Sequence, residues 1–406
     1  MRRLAAALAL VLTTLPAPAP AMDKPRDWVP PPISAIPNHR ELWRNVIIEI
    51  ASYAKARKPD FVVVVHDGIE LLVKGKRETD WEEAQDPAGT NFEKRLPDGA
   101  AFRPYLKVID GVVVDGLYCG PYAFGMPLAQ AIKERKDLDR QLAEERARGI
   151  HRPPVPQPFG PFSLDPREEL RRAAEIRREA ARVERQRRMV YAIDALRDSG
   201  RRVLSLDDCR DPKTADAALS GGDRDKVLVF SAQDNPRADI MPRTRPHHEN
   251  PDPVKSIAQA RNWLPMLRGE SFATRAEWVQ AMEKTNYDMI AIDVAHRGSE
   301  GLTPADLHKL KFKSLGAPRL VLAALPLGKT KDTRWYWQKG WEAGNPPFLF
   351  APDSDNPGWF ITDLNDPDWK AQLGKIAEGI VNAGFDGIFF DEVDTYLWFE
   401  DLMPLD

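Results

Sequence analysis

The stretch "GFDGIFFDEVDTYLWFE" (residues 384–400) sets the apolar run Ile388-Phe389-Phe390 directly ahead of three acids, Asp391, Glu392 and Asp394. Consecutive apolar residues read as a strand covered on both faces, the habit of parallel sheets, rather than as a strand with one wet face. Carboxylates that crowd onto the end of such a strand are aimed at whatever lies beyond its C-terminal edge.

Seven other runs share this character. They are "FVVVVHDG" (61–68), "GVVVDGLY" (111–118), "RVLSLDDC" (202–209), "KVLVFSAQ" (226–233), "NWLPML" (262–267), "DMIAIDVA" (288–295) and "RLVLAALPL" (319–327). Helical stretches lie between most of them. "HRELWRNVIIEIASYAKARKP" puts Leu42, Val46, Ile47 and Ile50 on one face, and "DWKAQLGKIAEGIVNAGF" does the same with Leu373, Ile376 and Ile380. Asp366-Pro367 supplies a helix-start signal. Strands alternating with helices predict right-handed βαβ units and a parallel sheet, and eight such units close into a (β/α)₈ TIM barrel. The rival, an open doubly wound sheet, is weakened because no G-x-G-x-x-G follows any strand. In a barrel, the strand ends share one mouth. Here those ends carry Asp67, Asp115, Asp207, Asp208, Asp293 and the trio Asp391, Glu392 and Asp394.

Composition narrows the function. The chain has 406 residues, 43% of them hydrophobic, and a net charge of −3, which gives no overall pull toward nucleic acid or membrane lipid. The expected partner set is therefore a substrate alone, with no nucleic acid and no membrane, for a monomer. Residues 1–22, "MRRLAAALALVLTTLPAPAPAM", have the basic, apolar and small-residue layout of a secretory signal peptide cut near Ala21, so a secreted or periplasmic location is expected. The apolar run is too short to span a bilayer. Residues 128–190 are charge-dense and predict two solvated helices joined by a Pro-rich turn, inserted between the second and third strands. Their interspersed glutamates favour a salt-bridged surface over a nucleic-acid site. Residues 234–257 read as a linker. It holds His247 and His248, a weak metal signal without acidic partners at ligand spacing. No metal and no other cofactor is expected. Cys119 and Cys209 lie just past the ends of neighbouring strands. A disulfide there needs Cα atoms within about 7 Å, and two separately buried thiols are the alternative.

A mouth lined with carboxylates suits glycoside hydrolysis, which needs one protonated and one ionised acid, or divalent-metal catalysis. Arg334, Tyr336, Trp335 and Trp337 in "TRWYWQKGW" tip the balance toward sugar, since aromatic rings stack on sugar faces. For any single aspartate, helix capping is the plain rival reading.

The block "RWYWQKGWEAGNPPFLF … DPDWKAQLGKIAEGIVNAGFDGIFFDEVD" resembles the signature of the endo-α-1,4-polygalactosaminidase-like TIM-barrel family, glycoside hydrolase family 114 and its relatives. "NWLPML" is similar to that family's first strand and "NYDMIAID" to its second. "YAKARKPDFVVVVHDGIELL", "DGVVVDGLYCG" and "SGRRVLSLDDC" resemble later strands, yet they come first in the chain. The resemblance thus implies a circular permutation over residues 38–400, with strands five to eight preceding strands one to four and 234–257 bridging the ancestral ends. It implies Asp391 and Asp115 as the catalytic carboxylates, with Asp293, Arg334 and Tyr336 positioning a polysaccharide of amino sugars. Asp394, Asp67 and Asp207 complete the expected binding rim. Two positions depart from the family: Lys329 follows Gly328 where a glutamate is usual, and Asp115 replaces a longer glutamate. Both motivate a second reading, a non-catalytic carbohydrate-binding barrel.

Overall fold

The computed structural model describes residues 28–90, 95–120, 123–150, 185–232, 238–242 and 245–405. Eight strands form one parallel sheet: β1 (Val62–His66), β2 (Gly111–Asp115), β3 (Arg202–Asp208), β4 (Leu228–Ala232), β5 (Trp263–Met266), β6 (Met289–Asp293), β7 (Leu320–Pro326) and β8 (Gly387–Asp391). Each falls inside one of the eight apolar runs. Their interiors are mostly buried, as the apolar runs require: Val62–His66, Met289–Asp293 and Gly387–Asp391 are buried at every position.

The order around the sheet is β4-β3-β2-β1-β8-β7-β6-β5. The last strand therefore pairs with the first, Val62 opposite Gly387 through Val65 opposite Phe390. Among the described residues, the one seam without a ladder lies between β4 and β5. It is bridged by a side chain: the buried Trp263 indole N–H donates to the Leu228 carbonyl at 3.0 Å, and its ring lies 6.1 Å from Phe230. The result is a nearly closed α/β barrel.

Helices cover its outside for local reasons. In His39–Arg57, Asn38 caps the N-terminus by accepting from the Glu41 N–H, and Trp43, Val46, Ile47, Ile50 and Ala54 turn inward. In Pro367–Ala383, Asp366 caps, Pro367 takes the first turn, and Gly384 closes the helix at φ 91°. Burying each Leu, Ile or Val of these faces contributes about 1.5–3 kcal/mol.

The structure adds a three-stranded antiparallel sheet, absent from the sequence expectations, made of Lys329–Lys331, Trp359–Thr362 and Leu349–Pro352 in that order. It rises beside the mouth just after β7 and carries Lys329 there. Helix Leu128–Ala147 opens the charged insertion, and a helix over residues 185–198 closes it. The expected solvated helices are anchored in the core at both ends of the insertion. Leu128, Ala131 and Ile132, and then Met189, Val190 and Ile193, are spaced for one helical face and pack into the core. Residues 151–184, the proposed signal peptide at 1–22, and 234–237 and 243–244 of the linker lie outside the described residues. Among the described residues, no helix is long and apolar enough to cross a membrane. Cys119 and Cys209 are disulfide-bonded, their Cα atoms 5.4 Å apart, which ties the β2 and β3 ends together.

Candidate active site

Two adjacent strands build the site. β1 ends in His66 and β8 in Asp391, and both strands turn sharply on the next residue: Asp67 has φ 61° and Glu392 φ 53°. Left-handed backbone at a non-glycine residue costs of order 1–3 kcal/mol and persists only where the surroundings enforce it. The two turns enforce each other, because a Cβ on Gly68 would stand 2.6 Å from Val393 Cγ1. Only glycine allows that approach.

The buried His66 ring joins the two aspartates implied as catalytic. Its Nδ1 lies 2.7 Å from Asp391 Oδ1, and its Nε2 lies 2.8 Å from Asp115 Oδ1 and 3.5 Å from Asp67 Oδ2. With a carboxylate at each nitrogen, the ring is set up to carry protons on both. Burial works against that charge, but Asp67 and Asp115 outweigh it and hold the His66 pKa well above the ordinary value. The aspartates diverge in turn. Burial pushes Asp67 well above the usual carboxylate range. Asp391 goes the other way: burial would raise it, yet the hydrogen bond and charge of His66, helped by Arg268, hold it below its ordinary value. Environments that drive neighbouring carboxyls apart separate an acid from a base. Asp115 is the outermost, its side chain half exposed.

The expected rim residues surround this core. Arg334 Nη1 donates to both oxygens of Asp293, at 2.7 and 2.8 Å, and both residues are buried. Burial raises the Asp293 pKa although Arg334 opposes it. Burial likewise disfavours the guanidinium, but Asp293, with a smaller contribution from Asp391, keeps it charged. Tyr336 shares a 2.7 Å hydrogen bond with Thr330 in the antiparallel sheet. Asp394 precedes helix Thr395–Leu402 without capping it through its side chain, and burial raises its pKa despite Lys329 and His66. Asp207 is 1% exposed and is engaged within the fold: one oxygen accepts the Tyr118 and Cys119 N–H groups and the other the Ser205 hydroxyl. Its carboxylate thereby fixes the turn beside the disulfide. Trp337 packs against Trp341 and Phe360, and Trp335, though 48% exposed, lines an apolar cleft with Ile376 and Ile380 on the outer wall. Neither indole joins the acid cluster.

Lys329, where the sequence resemblance implies a glutamate, ion-pairs with Glu392 at 2.9 Å and Asp353 at 3.0 Å. Arg268 approaches Glu392 at 3.5 Å and stacks over Trp359. Two cations thus attend Glu392, whereas Asp67, Asp115 and Asp391 share a single imidazole. Ligand atoms of His66, Asp67 and Asp391 all lie within 4.8 Å of one another, so these three residues are the ones at the mouth that could hold a cation, on condition that His66 gives up a proton and a carboxylate contact. A cleft of about 1040 Å³ opens beside the mouth between residues 117–120 and 124–128 on one side and helix Pro212–Asp225 on the other. None of His66, Asp115 or Asp391 lines it.

His66 is the residue that sequence reasoning passed over. Its signal was present in "VVVVHDG", an imidazole at a buried strand end directly before an acid, but a histidine there is equally at home as a core residue. The pairing of Lys329 was equally invisible, since its partners lie far along the chain.

No known family model matches the chain. It is 28% identical to an uncharacterised protein of Deinococcus radiodurans over 146 residues, 36% of this chain and 44% of that one. It is 24% identical to an uncharacterised protein of Methanocaldococcus jannaschii over 169 residues, 41% of this chain and 47% of the relative. An uncharacterised protein of Thermotoga maritima is 24% identical over 137 residues, 33% and 39% of the two chains. The chain thus spans less than half the length of these curated relatives. Among solved structures, the glycoside hydrolase domain of PelA from Pseudomonas aeruginosa matches at 22% identity and a TM-score of 0.23, over 34% of this chain and 45% of that one.

Proposed function

We propose that the chain is a glycoside hydrolase that cleaves an amino-sugar-containing polysaccharide, with Asp391 and Asp115 as its carboxylate pair. The observation that carries this reading is the single buried imidazole with Asp391 on one nitrogen and Asp115 on the other, at the mouth of an α/β barrel. Asp391, held ionised, is the nucleophile or base toward the anomeric carbon. Asp115, half exposed, faces the leaving oxygen as the general acid, taking from the His66 Nε2–H the proton that it delivers. His66 orients both and passes the proton that resets the pair. Asp67, 3.5 Å from the same ring nitrogen, works with Asp115 to keep His66 protonated. Asp293 with Arg334, and Tyr336 and Asp394, hold the sugar. The choice of amino sugars rests on the family resemblance of residues 334–394 and on the excess of acid at the mouth, which attracts a cationic polymer.

The test is a screen of the purified protein against galactosamine- and glucosamine-containing polymers with a reducing-end assay, beside Asp391→Asn. Full activity in that variant removes Asp391 from the mechanism. A second reading, a non-catalytic carbohydrate-binding barrel, draws on the ion pairs that Lys329 makes with Glu392 and Asp353 where the family has a carboxylate. Saturable binding without turnover across the panel would select it.

The circular permutation belongs to the same proposal. It is supported by the ladder between β8 and β1 and by the seam at β4/β5, where the ancestral ends would have met. Export is supported by the Cys119–Cys209 bond, which suits an oxidising compartment. Mass analysis of the exported protein, expecting an N-terminus near residue 22, tests it.

A further inference from the structure

The floor of the barrel, opposite the mouth, holds a second constellation. Asp223 lies near the end of helix Pro212–Asp225, and its two carboxylate oxygens face two imidazoles of the following connection: His247 Nε2 at 3.0 Å and His248 Nε2 at 2.8 Å. The three ligand atoms all lie within 4.8 Å of one another. Adjacent residues in extended chain point their side chains to opposite sides. Here both rings turn toward one carboxylate, their centroids 4.0 Å apart, because His248 takes the left-handed φ of 52°. This is a second place where strain brings chemically capable groups together.

We propose that Asp223, His247 and His248 form a binding site for a borderline divalent cation of the Zn²⁺ class. Two imidazole nitrogens and a carboxylate suit such a metal, whose bonds to nitrogen and oxygen run near 2.0–2.2 Å, and imidazoles do not suit the hard cations Mg²⁺ and Ca²⁺. Ligand atoms about 3 Å apart need only a small outward relaxation to admit the ion. The three side chains are 35–52% exposed, so water completes the coordination.

The position gives the site a purpose. His248 is tied through its carbonyl to Asn262, which donates at 3.1 Å from the residue just ahead of β5. Asp223 stands just ahead of β4. The cation therefore clips the foot of β4 to the foot of β5, across the one junction of the barrel that lacks a backbone ladder.

The experiment uses tag-free, chelator-stripped full chain titrated with Zn²⁺ by calorimetry, beside thermal melts. Wild type is expected to take up one equivalent that both Asp223→Asn and His247→Ala/His248→Ala lack, and its melting temperature is expected to rise by roughly 3–5 °C at a hundredfold excess over Kd. The replaced side chains are a third to a half exposed and lie at the surface, so the variants are expected to keep the fold, and each retains the mouth cluster of His66, Asp67 and Asp391 as an internal control. No saturable uptake by wild type, or the same uptake in Asp223→Asn, overturns the proposal.

Discussion

Aspartates flank the barrel strands at both ends, and the two sets live differently. At the floor, Asp288 precedes β6 with no exposure and meets the fully buried Lys313 ammonium, whose remaining hydrogens go to the Asn250 and Asp252 carbonyls. Asp386 precedes β8 and accepts from Lys58, Lys311 and the Val321 N–H. Asp110 precedes β2 and meets Lys55, Arg201 and the Val63 N–H. Every one of these floor acids has a cation of its own, and two of them also tie down a neighbouring strand. At the mouth, Asp67, Asp115 and Asp391 divide one imidazole. The same residue type is structural where charge balances and chemically available where it does not.

That contrast can be broken most severely at Asp391. Asp391→Asn is expected to cut turnover about 10³–10⁴-fold while its melting temperature stays close to wild type, read by reducing-end release and circular dichroism. A large loss of stability instead would class Asp391 with the floor acids. The converse test is Lys313→Met, which strands the Asp288 charge. It should cost about 3–5 kcal/mol in denaturant unfolding, with turnover per folded molecule unchanged. A cost near zero would show that the floor pairs do not need their balance.

The pH dependence sharpens the comparison further. His66 has a folded pKa raised above its unfolded value of about 6.5. Its stabilising contribution is complete below that unfolded value and is lost as pH rises through the folded one. Asp67, raised by burial, gives a slope of the same sign, because the folded state holds a proton that the unfolded chain has released. Melting temperature should therefore fall in wild type as pH rises above about 6.5, and fall less in His66→Gln. Parallel curves would mean that His66 carries no linked proton. The smallest effect is expected at the seam: Trp263→Phe removes the indole bond to Leu228 and should cost about 1 kcal/mol, with faster amide exchange in β4 and β5 than in β1 and β8.

The eight strands were legible because parallel strands buried on both faces leave a local record: continuous apolar runs such as Phe61–Val65 and Ile388–Phe390, with helical faces spaced between them. The caps at Asn38 and Asp366 are likewise local, since a side chain there reaches an N–H only two or three residues on. The acids at the strand ends could be counted from the sequence, and Asp391, Asp115 and Asp67 do converge. What the sequence could not carry was the partner of each charge. Asp207 looked like its neighbours on the rim and proved to be spent on the Tyr118–Cys119 turn.

Hydrophobic periodicity thus determined the strands, the helices and the side of the barrel on which carboxylates gather, because burial acts on residues a few positions apart. Pairing was decided only by the closed tertiary structure. His66 meets Asp391 across 325 positions, Lys329 neutralises Glu392, and Asp223 meets two histidines across the seam. Electrostatic interactions depend on distance in space, and chain closure sets that distance without leaving a periodic trace.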